Sequence, residues 1–181
     1  MNTILPILAA FLLLSPLAAS GQARSAVRDG PVVARLAAEQ GAIRPGQTTT
    51  VAVVLDMDPQ WHTYWRFPGE SGLPTTVQWR LPPGFSAGPL RWPVPERFVS
   101  QGLVTYGYSG RVLLLTDISA PADLPPSHAV AIQARVSWLA CRVECTPGNA
   151  LLQLSVPTVS GTTAPAGPLA AGEDTFTSPR G

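Results

Sequence analysis

The sequence predicts an all-β protein, an antiparallel sandwich, on three observations. Twenty prolines and sixteen glycines in 181 residues punctuate the chain every few positions, which argues against long helices. No segment of useful length repeats its apolar residues at helical period. Short apolar runs recur instead between turn residues, at a spacing that suits seven to nine sandwich strands.

The strands follow in order. Residues 32–39 form an apolar run that ends before the turn residues Arg44, Pro45 and Gly46. Residues 48–57 come next, with Val51, Val53 and Leu55 alternating with Ala52 and Val54. Residues 61–66 and 75–81 flank the loop from Pro68 to Gly72, and Pro82, Pro83 and Gly84 end that unit. Residues 91–95 are too rich in proline for a central strand and read as an edge or a loop. Residues 111–119 are a strong strand. From residue 129 on, Val130, Ile132, Ala134, Val136 and Trp138 alternate with Ala131, Gln133, Arg135 and Ser137. This half-buried strand leads into Cys141. A final strand covers residues 149–156, after Pro147 and Gly148.

Cys141 and Cys145 are the only thiols of the chain. They bracket a hairpin connection, where cross-strand neighbours approach within the separation a disulfide needs. A bridge between them would close so short a loop that its chain-entropy contribution is about 2 kcal/mol, against about 3 for a fifteen-residue loop. Such a bridge is a weak staple, and the leading reading is an exchangeable disulfide. Pro147 donates no backbone hydrogen bond and biases the residue before it to extended structure, which suits a loop exposed to a partner. Arg142 would stabilise a thiolate and Glu144 would oppose it. On spacing alone an ordinary hairpin-end disulfide stays open. A zinc pair is disfavoured, because four ligands are normally needed and there is no second cysteine pair.

Residues 4–14 are an apolar stretch of leader length, and Ala18, Ala19, Ser20, Gly21 and Ala23 offer small residues for cleavage near residues 20–23. Residues 1–22 are therefore expected to be a signal peptide, although no Lys or Arg precedes the apolar stretch. Pro6 and Pro16 interrupt a segment already short for a spanning helix, so no direct membrane span is expected after cleavage. The absence of cysteine near the cleavage region disfavours a lipoprotein. Both thiols then belong to an oxidising compartment, where disulfides form. Residues 23–157 make up one domain, of a size that supports a core. Residues 158–181 are almost free of large apolar side chains and read as a disordered tail or linker stub.

The net charge is +1, every basic residue is Arg, and no basic run occurs. Nucleic acid is thus not an expected partner. His62 and His128 are the only histidines. Asp56 and Asp58 lack the further oxygens and the glycine of a calcium loop. Ser71 and Ser109 sit in no nucleophile-elbow pattern. No metal site and no cofactor is expected. Trp61, Tyr64, Trp65, Trp79 and Trp92 are assigned mostly to the core, with one or two left to line a groove around the cysteines; His62 and Tyr64 are the candidates for it.

Four strings in order carry a resemblance over residues 30–157. They are Trp61-His62-Thr63-Tyr64-Trp65-Arg66, the stretch from Pro68 to Pro74, Tyr106-Gly107-Tyr108 with Gly110, and Trp138 followed by Cys141, Cys145 and Pro147. Together they resemble the N-terminal periplasmic domain of the DsbD and ScsB thiol:disulfide interchange proteins. The likeness is to the ScsB-like branch, since DsbD proper spaces its cysteines more widely. The resemblance implies an immunoglobulin-like sandwich in the periplasm that accepts electrons from a thioredoxin-like or membrane reductase domain and reduces thioredoxin-fold partners. It implies that Cys145 forms the mixed disulfide and that Cys141 resolves it. It also implies an aromatic cap over the pair, for which Tyr106 is the best match, with Gly107, Tyr108 and Gly110 around it. DsbD-like chains continue into a membrane domain, whereas this sequence continues into a polar tail, so a DsbD-like membrane donor would act in trans or the chain is a truncated copy. Two other functions stay open: a binding or chaperone-like sandwich with a structural disulfide, and a copper-handling domain using Cys141, Cys145 and either Met57 or His62.

Overall fold

The computed structural model describes residues 25–125 and 129–160. The expected signal peptide, His128 and all but the first residues of the expected tail lie outside them. Strands make up all the regular structure among the described residues. They are β1 (Ala26–Asp29), β2 (Val32–Ala38), β3 (Thr48–Met57), β4 (His62–Gly69), β5 (Thr76–Arg80), β6 (Ser86–Ala87), β7 (Glu96–Ser100), β8 (Leu103–Ser109), β9 (Arg111–Ser119), β10 (Ala129–Cys141) and β11 (Cys145–Pro157).

Two antiparallel sheets pack as an immunoglobulin-like sandwich. One has the order β1-β2-β3-β9-β6; the other has the order β11-β10-β4-β8-β7, with β5 also paired to β10. Val53, Leu55 and Leu114 from the first sheet share one fully buried core with Ile132, Val136 and Leu152 from the second. Each such side chain contributes about 2 kcal/mol of hydrophobic stabilisation. The alternation of β3 does not separate a wet face from a dry one. Ala52 and Val54 are as buried as Val51, because Ala37 and Leu113 join them in a second cluster on the other face of the sheet.

The strand count exceeds the expected seven to nine, and the additions are short edge pieces. β1 and β7 are mostly exposed and β6 has two residues. Residues 91–95 are irregular, with a single bridge from Arg91 to Leu115. The last strand starts four residues earlier than expected, at Cys145, and Pro147 lies within it opposite Leu139. β11 is the outer strand of its sheet, a position that tolerates a residue lacking the N–H donor. Beyond β11, Thr158 bridges to Ile43 and donates its hydroxyl to the Pro125 carbonyl at 2.9 Å.

Candidate redox site

β10 and β11 pair along their whole length down to Cys141 opposite Cys145, and Arg142, Val143 and Glu144 form the tip. The two Cα atoms are 4.1 Å apart and the sulfurs are bonded. The two cysteines differ in access: Cys141 is 4% exposed, whereas Cys145 is exposed at the surface of the hairpin. Val143, at the tip, is 86% exposed. The Arg142 guanidinium lies over the Trp61 ring at 5.5 Å, which holds that cation beside the pair.

β4 meets β10 in a single cross-strand pair, His62 with Cys141. Strand alternation puts Tyr64 on the same face as His62. The Tyr64 hydroxyl lies 4.0 Å from Cys145 Sγ, and burial pushes its phenol pKa up, so it remains a proton donor to that sulfur. The loop after β4 covers the Tyr64 ring. Gly72, at φ +98°, packs directly on the ring, where a Cβ would overlap it. Glu70 pins this loop to β8: its N–H donates to the Val104 carbonyl at 3.0 Å, and the Val104 N–H donates to its carboxylate at 2.6 Å.

A pocket of about 160 Å³ opens beside the disulfide, lined by Cys141, Cys145, His62, Tyr64, Phe98 and Thr105 among others. Phe98 stacks on His62 with ring centroids 4.4 Å apart. β7 and β8 form a hairpin in which Phe98 pairs with Thr105, and its turn residues Ser100, Gln101 and Leu103 also line the pocket. A wider groove of about 680 Å³, lined by Leu73, Pro74, Leu139 and Pro147 among others, runs along the other part of the cysteine hairpin. Burial lowers the His62 pKa, and the Glu96 carboxylate opposes that shift.

The structure brings His62 and Tyr64 to the cysteines as expected groove residues, but it places the expected cap elsewhere. Tyr106 belongs to a strand, not a loop, and faces away from Thr105; its ring packs edge-on against Trp65 at 6.4 Å. Tyr108 is buried in the core, stacks with Trp92 and donates its hydroxyl to the Pro93 carbonyl at 2.8 Å. Gly107 is no hinge. It sits against the Thr63 carbonyl, where a Cβ would collide, so glycine here serves the close approach of β8 to β4. Met57, a candidate copper ligand, is buried in the core and accepts the Thr63 hydroxyl at 3.3 Å, on the opposite face of β4 from His62. Phe98 is the aromatic residue that sequence reasoning missed. Its five-residue strand has no clear alternation, and only the pairing with Thr105 brings it to the site.

The family model for the N-terminal domain of thiol:disulfide interchange protein DsbD matches residues 32–157. The chain belongs to this family. The match runs from the start of β2 to the end of β11 and includes both cysteines. The crystal structure of the N-terminal periplasmic domain of ScsB from Proteus mirabilis superimposes with a TM-score of 0.57 at 21% sequence identity. That alignment covers 78% of this chain and 52% of the ScsB chain, so this chain spans about half the length of that structure, and the likeness is one of fold. The GAE domain of yeast GGA1 aligns over 74% of this chain and 97% of its own, with a TM-score of 0.36 and 8% identity, too remote to carry an argument. No curated protein matches the sequence. As a member of the DsbD N-terminal family, the chain carries a bonded cysteine pair within the matched residues. Among the described residues, no helix is long and apolar enough to cross a membrane.

Proposed function

We propose that this DsbD-type domain is a periplasmic electron-transfer module, which accepts electrons from a thioredoxin-like or membrane reductase domain and reduces thioredoxin-fold partners. The observation that carries the proposal is the disulfide itself: it closes a minimal loop at an exposed hairpin tip, with Cys145 an exposed residue and Cys141 a buried one. A thiolate must reach a disulfide sulfur to exchange with it. The exposure of Cys145 supports its role in that encounter, and the burial of Cys141 supports the internal step that follows.

In the delivering direction the Cys145 thiolate attacks one sulfur of the partner disulfide, and the partner's other sulfur leaves as a thiolate. Cys141 then attacks Cys145 Sγ, closing the Cys141–Cys145 bond and releasing the partner's second thiolate. Two electrons have moved to the partner. Loading from the donor is the reverse sequence. The Tyr64 hydroxyl would stabilise the Cys145 thiolate, since hydrogen bonding to a charged form favours it. The cover over the pair is assigned to Phe98 and the β7–β8 turn, with Tyr106 in a packing role.

Trapping tests the proposal. Cys141→Ser should accumulate a mixed disulfide with a thioredoxin-fold protein, seen on non-reducing gels, and Cys145→Ser should not. Trapping by Cys145→Ser alone would overturn the assignment of the two sulfurs, and trapping by neither would overturn the exchange function.

A further inference from the structure

The exchange scheme leaves one proton without a destination. Cys141 is buried, and a thiol in apolar surroundings holds its proton more tightly than a free one. It must nevertheless become a thiolate to close the bond with Cys145. The titratable side chain set opposite it on the neighbouring strand β4 is His62. Their pairing is the only one between β4 and β10, and directly opposed residues bring their Cβ atoms to within about 5 Å on one face of the sheet. The imidazole is held in place from two sides, stacked on Phe98 at 4.4 Å and edge-on to Tyr64 at 5.3 Å. Both cysteines and His62 line the same pocket.

We infer that His62 is the proton acceptor for Cys141 in the step that resolves the mixed disulfide. The inference rests on the exchange function proposed above and assigns a role within it. In that step the Cys141 S–H proton passes to an imidazole nitrogen, and the freed sulfur electron pair forms the bond to Cys145 Sγ. The bond between Cys145 and the partner sulfur breaks, and the partner leaves as a thiolate. The imidazolium then returns its proton to that thiolate or to solvent. In loading, the same imidazolium protonates Cys141 as it leaves.

An acceptor must be neutral beforehand, and the surroundings favour neutrality. Burial lowers the His62 pKa, with Glu96 from β7 opposing. The Glu96 carboxylate is already engaged, accepting the Ser109 hydroxyl at 2.8 Å and the Ser109 N–H at 3.1 Å. The other charged or titratable groups around the imidazole are Tyr64 on its own strand, Arg142 at the hairpin tip and the two cysteines.

The test is a single turnover of the reduced full chain with oxidised glutathione, quenched in acid and read by mass spectrometry. The first phase adds glutathione to Cys145, and the second releases it as the internal disulfide closes. His62→Phe, which keeps a ring to stack on Phe98, should slow the second phase about a hundredfold near neutral pH and leave the first phase nearly unchanged. His62→Gln should behave alike. In the unaltered chain the second-phase rate should climb through the imidazole range and then level, whereas in the variants it should keep climbing into the thiol range. An unaltered second phase in both variants, or a profile of the unaltered chain that follows thiol ionisation alone, would overturn the role of His62 while leaving the exchange function standing. Absence of any second phase in the unaltered chain would overturn both.

Discussion

The centre of the β3–β9 pair and the tip of the β10–β11 hairpin are both antiparallel pairings, yet they are built for opposite ends. Around Leu114 the ladder runs unbroken from Thr48 to Asp56 and both faces of β3 are buried. Around Cys141 the neighbouring strand β4 contributes one pair, and Val143 and Cys145 face solvent. A cross-link would add little to the first region, whose stability comes from apolar burial. The second region holds the only disulfide among the described residues, closing a loop too short to stabilise much. The bond therefore stands where its breakage disturbs the fold least, as exchange requires.

The largest effect should come from the first region. Leu114→Ala removes a fully buried side chain from the core between the sheets, at a cost of about 2–5 kcal/mol. Chemical denaturation should show this loss while thiol exchange of the folded fraction stays unchanged. Replacing both cysteines by serine should cost less, about 2 kcal/mol in the chain-entropy account. A larger loss than that of Leu114→Ala would mean that the hairpin tip is structural after all. Smaller again are the aromatic variants. Phe98→Ala and Tyr106→Ala should each cost about 1 kcal/mol from a lost aromatic pair, but they should part in chemistry. Only Phe98→Ala should speed alkylation of the reduced cysteines. Equal rates in the two variants would remove Phe98 as the cover.

The smallest effect is one of pH. The folded His62 pKa lies below its ordinary value of 6.5 because of burial, so the unfolded chain takes up the proton first as pH falls. Stability should therefore be fully present above about pH 6.5 and decline below it, toward the lowered folded pKa. His62→Phe should flatten this part of the stability profile, and an unchanged slope would mean that the imidazole is as solvated in the folded protein as in the unfolded chain.

Legibility in the sequence followed the same division. The central strands could be read because burial imposes a pattern: residues 111–119 and the alternation after residue 129 correspond to β9 and β10. β1, β6 and β7 could not, since their residues are mostly exposed and only the neighbouring strand makes them strands. The cysteine hairpin was legible from two unique residues and the flanking apolar runs. Its second arm was placed late because Pro147 and Gly148 signal a turn locally, and the outer position of β11, which tolerates proline, is a tertiary fact. The match of Tyr106 to a cap rests on a short motif, and a one-residue step along a strand exchanges faces. Thr105 lines the pocket, and Tyr106 turns toward Trp65.

The central claim is that the Cys141–Cys145 bond exchanges and does not hold the fold together. Equilibration of the purified protein with glutathione buffers of graded ratio, scored by alkylation of the free thiols, measures its reduction potential directly. The account predicts a potential above about −300 mV, the range of working pairs, with the sandwich still folded when reduced. A potential well below that value, accompanied by unfolding on reduction, would contradict it.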